Sequence, residues 1–304
     1  SIPYFSYAQG RLPSGQLQSV LSWNGDQFFH DRQVNNLAAD LVSLQRERIA
    51  RLGAPVDWIL ASDLSRHPLD YKLYIMLSCV QYDDNLLQAV QRQLHGRKVT
   101  VLWCYAPGFI HDGTADVKHM QALTGFRLKR LPAAPAVINL TRPAHTLVNG
   151  MTGLSFGAPY AMDPLFAVDD PGAEPLGVYR DIGEVALATK TVERCRSVFC
   201  GASFLPPDLL RSLARDAGVH IYSDGYDVLD ANDSFVLLHT ATAGDKTITL
   251  PRAGDVVDVY TGTVLAQAVT QFTLHEAAET TRLFYVGDAA EFARAMADAA
   301  PGPE

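Results

Sequence analysis

The sequence predicts an α/β protein: a doubly wound, mostly parallel sheet followed by a small antiparallel β-sandwich. Two apolar runs, YKLYIMLSCV at 71–80 and KVTVLWC at 98–104, are too continuous for half-exposed strands. They read as adjacent or near-adjacent strands covered on both faces, which is the habit of parallel sheets. A helical stretch lies between them, and strand–helix alternation at short spacing marks a doubly wound sheet. After Ser223 the texture turns all-β, with short strand-like runs at 234–239, 247–250, 256–260 and 282–286 between turn residues. Such spacing predicts a sandwich.

The opening thirty residues are loop-rich, punctuated by Pro3, Gly10, Pro13, Gly15 and Gly25, with one strand-like piece at 17–23. A helix is predicted over 33–52, where Val34, Leu37, Leu41, Leu44 and Leu52 share one face. Gly53 stands where a left-handed residue closes such a helix, and a strand at 56–60 follows. Asp83 and Asp84 open a helix that runs to His95; acids suit the positive end of a helix. The strand at 98–104 leads into the loop 105–113, YAPGFIHDG, and then a helix at 114–123 that Gly125 stops. From 126 to 190 prolines such as Pro132, Pro143, Pro159 and Pro171 divide the chain into short strands and loops. The α/β texture resumes with a strand at 194–200, a helix at 206–217 and a strand at 219–222. The Ala-rich piece 288–300 reads as a short helix or a tail. The boundary between the two domains falls at 222, giving 1–222 and 223–304.

Composition narrows the function classes. At 48% hydrophobic and 19% charged residues, disorder is excluded as the main state. A formal charge of −8 lacks the basic footprint of a nucleic-acid binder and does not favour anionic lipid. No apolar run approaches the ~20 residues of a membrane span. Cys79, Cys104, Cys195 and Cys200 lie in apolar runs without CxxC spacing, so they read as small buried hydrophobes, and no compartment follows from them. The start, SIPYFSYAQG, lacks the basic and apolar regions of a signal peptide, so a mature product or a fragment is expected.

Few motifs carry chemistry. Cys104 ends a strand, but Trp103 and Tyr105 are too bulky for a nucleophile elbow. His275 and Glu276 begin like a zinc-protease helix, yet Glu279 holds the second ligand position within a strand-like run, so no metal site is expected. Ser203 lacks the GxSxG elbow and reads as a cap or turn before Pro206. Gly150 and Gly153 do not form a phosphate loop, and no cofactor is expected. His220 and His239, in apolar strand-like runs, read as satisfied core histidines, and Asp169, Asp170, Asp224, Asp227 and Asp230 as turn formers. The loop 105–113 differs in kind. It lies at the C-terminal end of a central strand, where open α/β sheets place ligands. Its Tyr105, Phe109, His111 and Asp112 are the ligand-facing candidates.

The segment YKLYIMLSCVQYDDNLLQAVQRQLHGRKVTVLWCYAPGFI resembles the region that follows the catalytic barrel in family 42 glycoside hydrolases, the β-galactosidase group. ARLGAPVDWILASDL resembles the start of the same domain. SVFCGASFLPPDLLRSLARDAGVHIYSDGYDVLDANDSFVLLHTA resembles its exit and the start of a small C-terminal β-domain, and TLPRAGDVVDVYTGTVL its closing sandwich. The likeness spans 33–287. It implies a flavodoxin-like fold, related to class I glutamine amidotransferases without their nucleophile, that serves as a trimerisation domain. The family's catalytic glutamates sit upstream, and no eightfold barrel of ~250 residues fits before Gln33, so no catalytic residue carries over.

Two functions follow as expectations. One is a non-catalytic region that joins subunits and lines the cleft of a β-galactosidase-like hydrolase. Its partners are an upstream barrel and further copies of itself, a trimer, with Phe156, Tyr160, Phe166 and Tyr179 as interface anchors. The other is a stand-alone enzyme or carbohydrate-binding protein that uses the loop 105–113.

Overall fold

The computed structural model describes residues 39–66, 69–142, 144–151 and 153–299. The strand expected at 17–23 and the start of the first expected helix lie outside them.

The chain enters through a π-helical turn, Ala39–Ser43, into α1 (Leu44–Ala50). There follow α2 (Asp63–Arg66), β1 (Leu73–Met76), β2 (Gln81–Tyr82) and α3 (Asp84–Val90), which continues as a π-helical stretch, Gln91–His95. Then come β3 (Thr100–Cys104), β4 (Ile110–His111), β5 (Thr114–Ala115) and α4 (Val117–Thr124). A meander occupies the middle: β6 (Leu128–Leu131), β7 (Ala134–Leu140), β8 (Ser155–Met162), β9 (Leu165–Val168), β10 (Glu174–Tyr179) and β11 (Val185–Val192). It is followed by β12 (Cys195–Cys200) and α5 (Pro207–Asp216). The last elements are β13 (Val228–Ala231), β14 (Phe235–His239), β15 (Gly244–Asp258), β16 (Val264–Glu276), β17 (Thr281–Gly287) and α6 (Ala289–Ala299). Among the described residues no helix is long and apolar enough to cross a membrane.

Two compact units result. The described part of the first is 39–46 with Asp57–Val219, and that of the second is Glu47–Val56 with 220–299.

The first unit holds a seven-stranded sheet in the order β1-β3-β12-β11-β10-β7-β8. The two apolar runs form the expected parallel neighbours: Leu73 pairs with Thr100 and Met76 with Trp103. β12 adds on the other side of β3, also parallel, with Cys200 opposite Cys104. All five residues of β3 are buried. The Trp103 indole N–H donates to Ser197 Oγ at 3.0 Å, and that hydroxyl donates to the Thr124 carbonyl at 2.8 Å. The polar atoms enclosed by this burial are thus paired.

The expected parallel pairing holds for these three strands and stops there. β12–β11, β11–β10, β10–β7 and β7–β8 are all antiparallel. A parallel connection needs a crossover of a dozen or more residues, usually a helix. Between β6 and β12 the described residues contain no α-helix, only a short 3₁₀ turn at Thr146–Val148, so the meander pairs antiparallel. The architecture is mixed α/β, with separate small sheets β2-β4-β5 and β6-β9. The expected strands at 56–60 and 219–222 are irregular, and the helix expected from 114 begins at Val117 after β5.

Within the meander Gly157 of β8 has φ +121°, and a Cβ there would fall 2.0 Å from the Ala136 carbonyl oxygen. That oxygen belongs to the paired strand and cannot swing aside. Gly157→Ala should therefore cost about 2 kcal/mol or more. An unchanged urea midpoint would show that β8 tolerates a register shift there.

The second unit is one five-stranded antiparallel sheet, β13-β14-β17-β15-β16, where a sandwich of two sheets was expected. The separate strands expected at 247–250 and 256–260 lie within or run off one continuous strand. β15 carries Pro251 through, and its register with β16 shifts between Thr249 and Val257. Bulges of this kind bend a strand without ending it. Leu229, Val236, Leu238, Ile248, Val256, Phe272 and Phe284 form the core. The unit holds two ion clusters, the first buried and the second with its arginine part-exposed. Lys246 Nζ lies 3.0 Å from Asp227, whose carboxylate also accepts the Ala241 N–H at 2.8 Å. Arg282 donates to Glu276 at 2.8 Å and to Asp258 at 3.1 Å.

Candidate functional site

The loop after β3 was expected to face a ligand, and the structure divides its four candidates. Tyr105 has φ +63°, and its N–H donates to the Cys200 carbonyl at 2.7 Å, which ties the turn to the end of β12. Its side chain is fully buried. The hydroxyl donates to the Pro164 carbonyl at 2.6 Å, and the ring lies 5.9 Å from Phe166. Burial pushes the phenol well above its ordinary range. Phe109 is buried too, with its ring 4.9 Å from Phe166. Gly108, at φ +70°, donates its N–H to the Cys79 carbonyl at 2.7 Å. Tyr105 and Phe109 therefore fill the strand end. A hydrophobic pair in a loop between two buried elements packs inward.

His111 and Asp112 reach the surface. The His111 ring stacks on Tyr82 at 4.5 Å, its Nε2 lies 3.1 Å from Asp84 Oδ1, and His119 is 5.6 Å away between ring centroids. Asp112 is exposed, at φ +48°, with its carboxylate 3.8 Å from His111 Nδ1. The sequence reading missed Tyr82, Asp84 and His119 as neighbours. Asp84 was visible only as a helix opener, and pairing of β2 with β4 is what brings Tyr82 to His111. Among the described residues no group of three His, Cys, Asp or Glu side chains is placed to hold a metal ion.

The aromatic interface candidates lie mostly inside the first unit. Phe166 and Tyr179 are fully buried, and the Tyr179 hydroxyl sits 2.8 Å from the Phe166 carbonyl and 3.0 Å from that of Gly201. Phe156 is buried, and half-buried Tyr160 bonds through its hydroxyl to Asp40. These side chains close the unit's own core. Of the other motifs, Ser203 does not cap α5: Pro206 holds the N-cap position, and Ser203 Oγ is buried with no hydrogen-bond partner among the described residues. His275 lies in β16, 2.7 Å from Asp245. His220 and His239 are not core histidines: half-buried His220 places Nε2 2.8 Å from the Thr249 carbonyl, and His239 is exposed on β14 with Nδ1 2.8 Å from Thr281 Oγ1.

All four cysteines are buried and free. Burial raises the thiols of Cys79, Cys195 and Cys200 to about 12 from an ordinary 9.0, and that of Cys104 well above its usual value. A thiol this far from the thiolate is not a nucleophile at neutral pH. The folded chain holds these protons where the unfolded chain releases them. Stability is therefore intact below about pH 9 and declines as pH climbs toward about 12. Iodoacetamide should label none of the four in the native protein at pH 8 and all four in denaturant. Rapid native labelling of Cys104 would contradict its burial.

No protein-family model and no curated protein matches the chain. Solved structures do. A β-galactosidase from Bacillus circulans sp. alkalophilus superposes with a TM-score of 0.59 at 16% identity, covering 83% of this chain and 37% of its own. A catalytic mutant of Gan42B, a GH42 β-galactosidase from G. stearothermophilus, gives 0.57 at 13% identity, covering 87% and 38%. The β-galactosidase of Rahnella sp. R3 gives 0.54 at 16% identity. At such identities the likeness is one of fold. The chain spans less than two fifths of the length of these structures, so its fold corresponds to part of a GH42 β-galactosidase.

Proposed function

We propose that this chain is the non-catalytic assembly and cleft-lining region of a β-galactosidase-like glycoside hydrolase, working beside a catalytic barrel and joining copies of the protein into a trimer. The observation that carries the reading is the asymmetric coverage: 83% of this chain superposes on 37% of a β-galactosidase. In this reading the parallel strands β1, β3 and β12 are the remnant of a flavodoxin-like, glutamine-amidotransferase-like sheet, and the meander replaces its remaining crossovers. The rival use of the strand-end loop as a pocket loses support, because Tyr105 and Phe109 occupy that end themselves.

The test has two arms. The 304-residue chain should release no nitrophenol from a panel of nitrophenyl glycosides. The longer protein that carries it should hydrolyse the β-galactoside and scatter light as a trimer at micromolar concentration. Turnover by the chain alone ends the non-catalytic assignment, and a monomeric longer protein ends the assembly role.

A further inference from the structure

A polar groove of about 380 Å³ lies in the first unit between α2 and α3. α3 and its continuation present Asn85, Gln88 and Arg92 to one wall, and Ser62, Ser65 and Arg66 form the other. The walls are fixed by a clamp beneath them. Gln93 donates to the Leu64 carbonyl and accepts the Leu69 N–H at 3.1 Å, while Leu64 itself is buried.

The donors in this groove outnumber what the protein uses. Among the described residues Arg92 has no ion-pair partner and Arg66 meets only Asp63, at 3.6 Å. Among the described lining residues the one carboxylate, Asp83, is committed to the Leu86 N–H at 2.8 Å as the cap of α3. Two guanidinium groups thus face a cleft on a chain whose net charge is −8. Guanidinium groups recognise carboxylate and sulfate oxygens by paired N–H bonds, and the amides and hydroxyls beside them suit a ligand's hydroxyl groups. Among the described residues no hydrophobic or aromatic side chain lines the groove, so these walls offer a neutral sugar no ring to stack on.

We propose that this groove binds an acidic saccharide, with Arg66 and Arg92 holding its carboxylate or sulfate and Asn85, Gln88 and Ser62 its hydroxyl groups. The saccharide part of this assignment rests on the hydrolase reading, whereas the oxyanion part rests on the groove alone.

Isothermal titration calorimetry on the 304-residue chain at low ionic strength tests both parts. The ligands are digalacturonate, galactose 6-sulfate, neutral galactobiose and sodium sulfate. Digalacturonate or galactose 6-sulfate should bind, at least tenfold more weakly to Arg92→Ala and to Arg66→Ala, and with partial recovery in Arg92→Lys. Arg294→Ala, on the exposed face of α6, should bind like the parent chain. Binding of galactobiose as tight as that of the acidic sugars would overturn the oxyanion assignment. Arg92-dependent binding of sulfate alone would overturn the saccharide and count against the hydrolase reading, while binding that ignores both arginines, or none at all, would overturn the site.

Discussion

Asp227→Ala is expected to lower the unfolding free energy by about 3–5 kcal/mol, because it strands the Lys246 ammonium inside the second unit. The pair sits among residues that exclude water, and Asp227 serves two donors, Lys246 Nζ at 3.0 Å and the Ala241 N–H at 2.8 Å. Deleting the carboxylate leaves the Ala241 N–H without its acceptor and the Lys246 ammonium with Thr242 Oγ1, at 3.3 Å, in place of a counter-charge, and an unmet buried donor costs more than a hydrogen bond gains. The double variant Asp227→Asn with Lys246→Met removes both charges and keeps an acceptor for Ala241. It should recover at least half of the loss. Urea unfolding of the three chains gives the comparison. A cost below about 1 kcal/mol for Asp227→Ala would mean that water reaches the pair.

Tyr105→Ala should cost about 3–5 kcal/mol, the range for emptying a buried aromatic site. The ring fills the end of β3 against Phe166, and the hydroxyl satisfies the Pro164 carbonyl. Tyr105→Phe keeps the packing and forfeits only that bond, so about 1–2 kcal/mol is expected. The ratio of the two costs separates a core residue from a surface one. If both variants unfold at the parent's denaturant midpoint, Tyr105 is exposed in solution and the strand end is open to a ligand after all.

What was legible in the sequence follows from how local the cause is. YKLYIMLSCV and KVTVLWC announced β1 and β3 and their parallel pairing, because burial on both faces leaves an unbroken apolar run. Gly125 was legible as a helix stop, and it sits there at φ +81°. The orientation of β7, β8, β10 and β11 was not legible, since a strand-like octad such as VALATKTV reads alike in either direction. Nor was the length of β15: Pro251 and Gly254 look like a turn, and only cross-strand pairing on both sides carries the strand through them. At the candidate site, the loop's place at the end of β3 was legible and the direction of its side chains was not. Tyr105 and Phe109 point inward because Phe166, from a strand far along the chain, supplies the surface they cover.

The parallel pairing of β3 with β12 has a kinetic consequence. Trp103 and Ser197, bonded across those strands, stand 94 residues apart. Closing so long a loop is slow, because its entropy must be lost before any contact rewards it. The antiparallel hairpins between them form over short separations, and each one formed shortens the span left to close. The β3–β12 pairing is therefore among the last contacts made during refolding, after the hairpins that extend the sheet from β12. A nascent chain whose synthesis has reached only β11 leaves β3 exposed along the edge that β12 will take, and that interval is when this protein is most open to sticking to its neighbours.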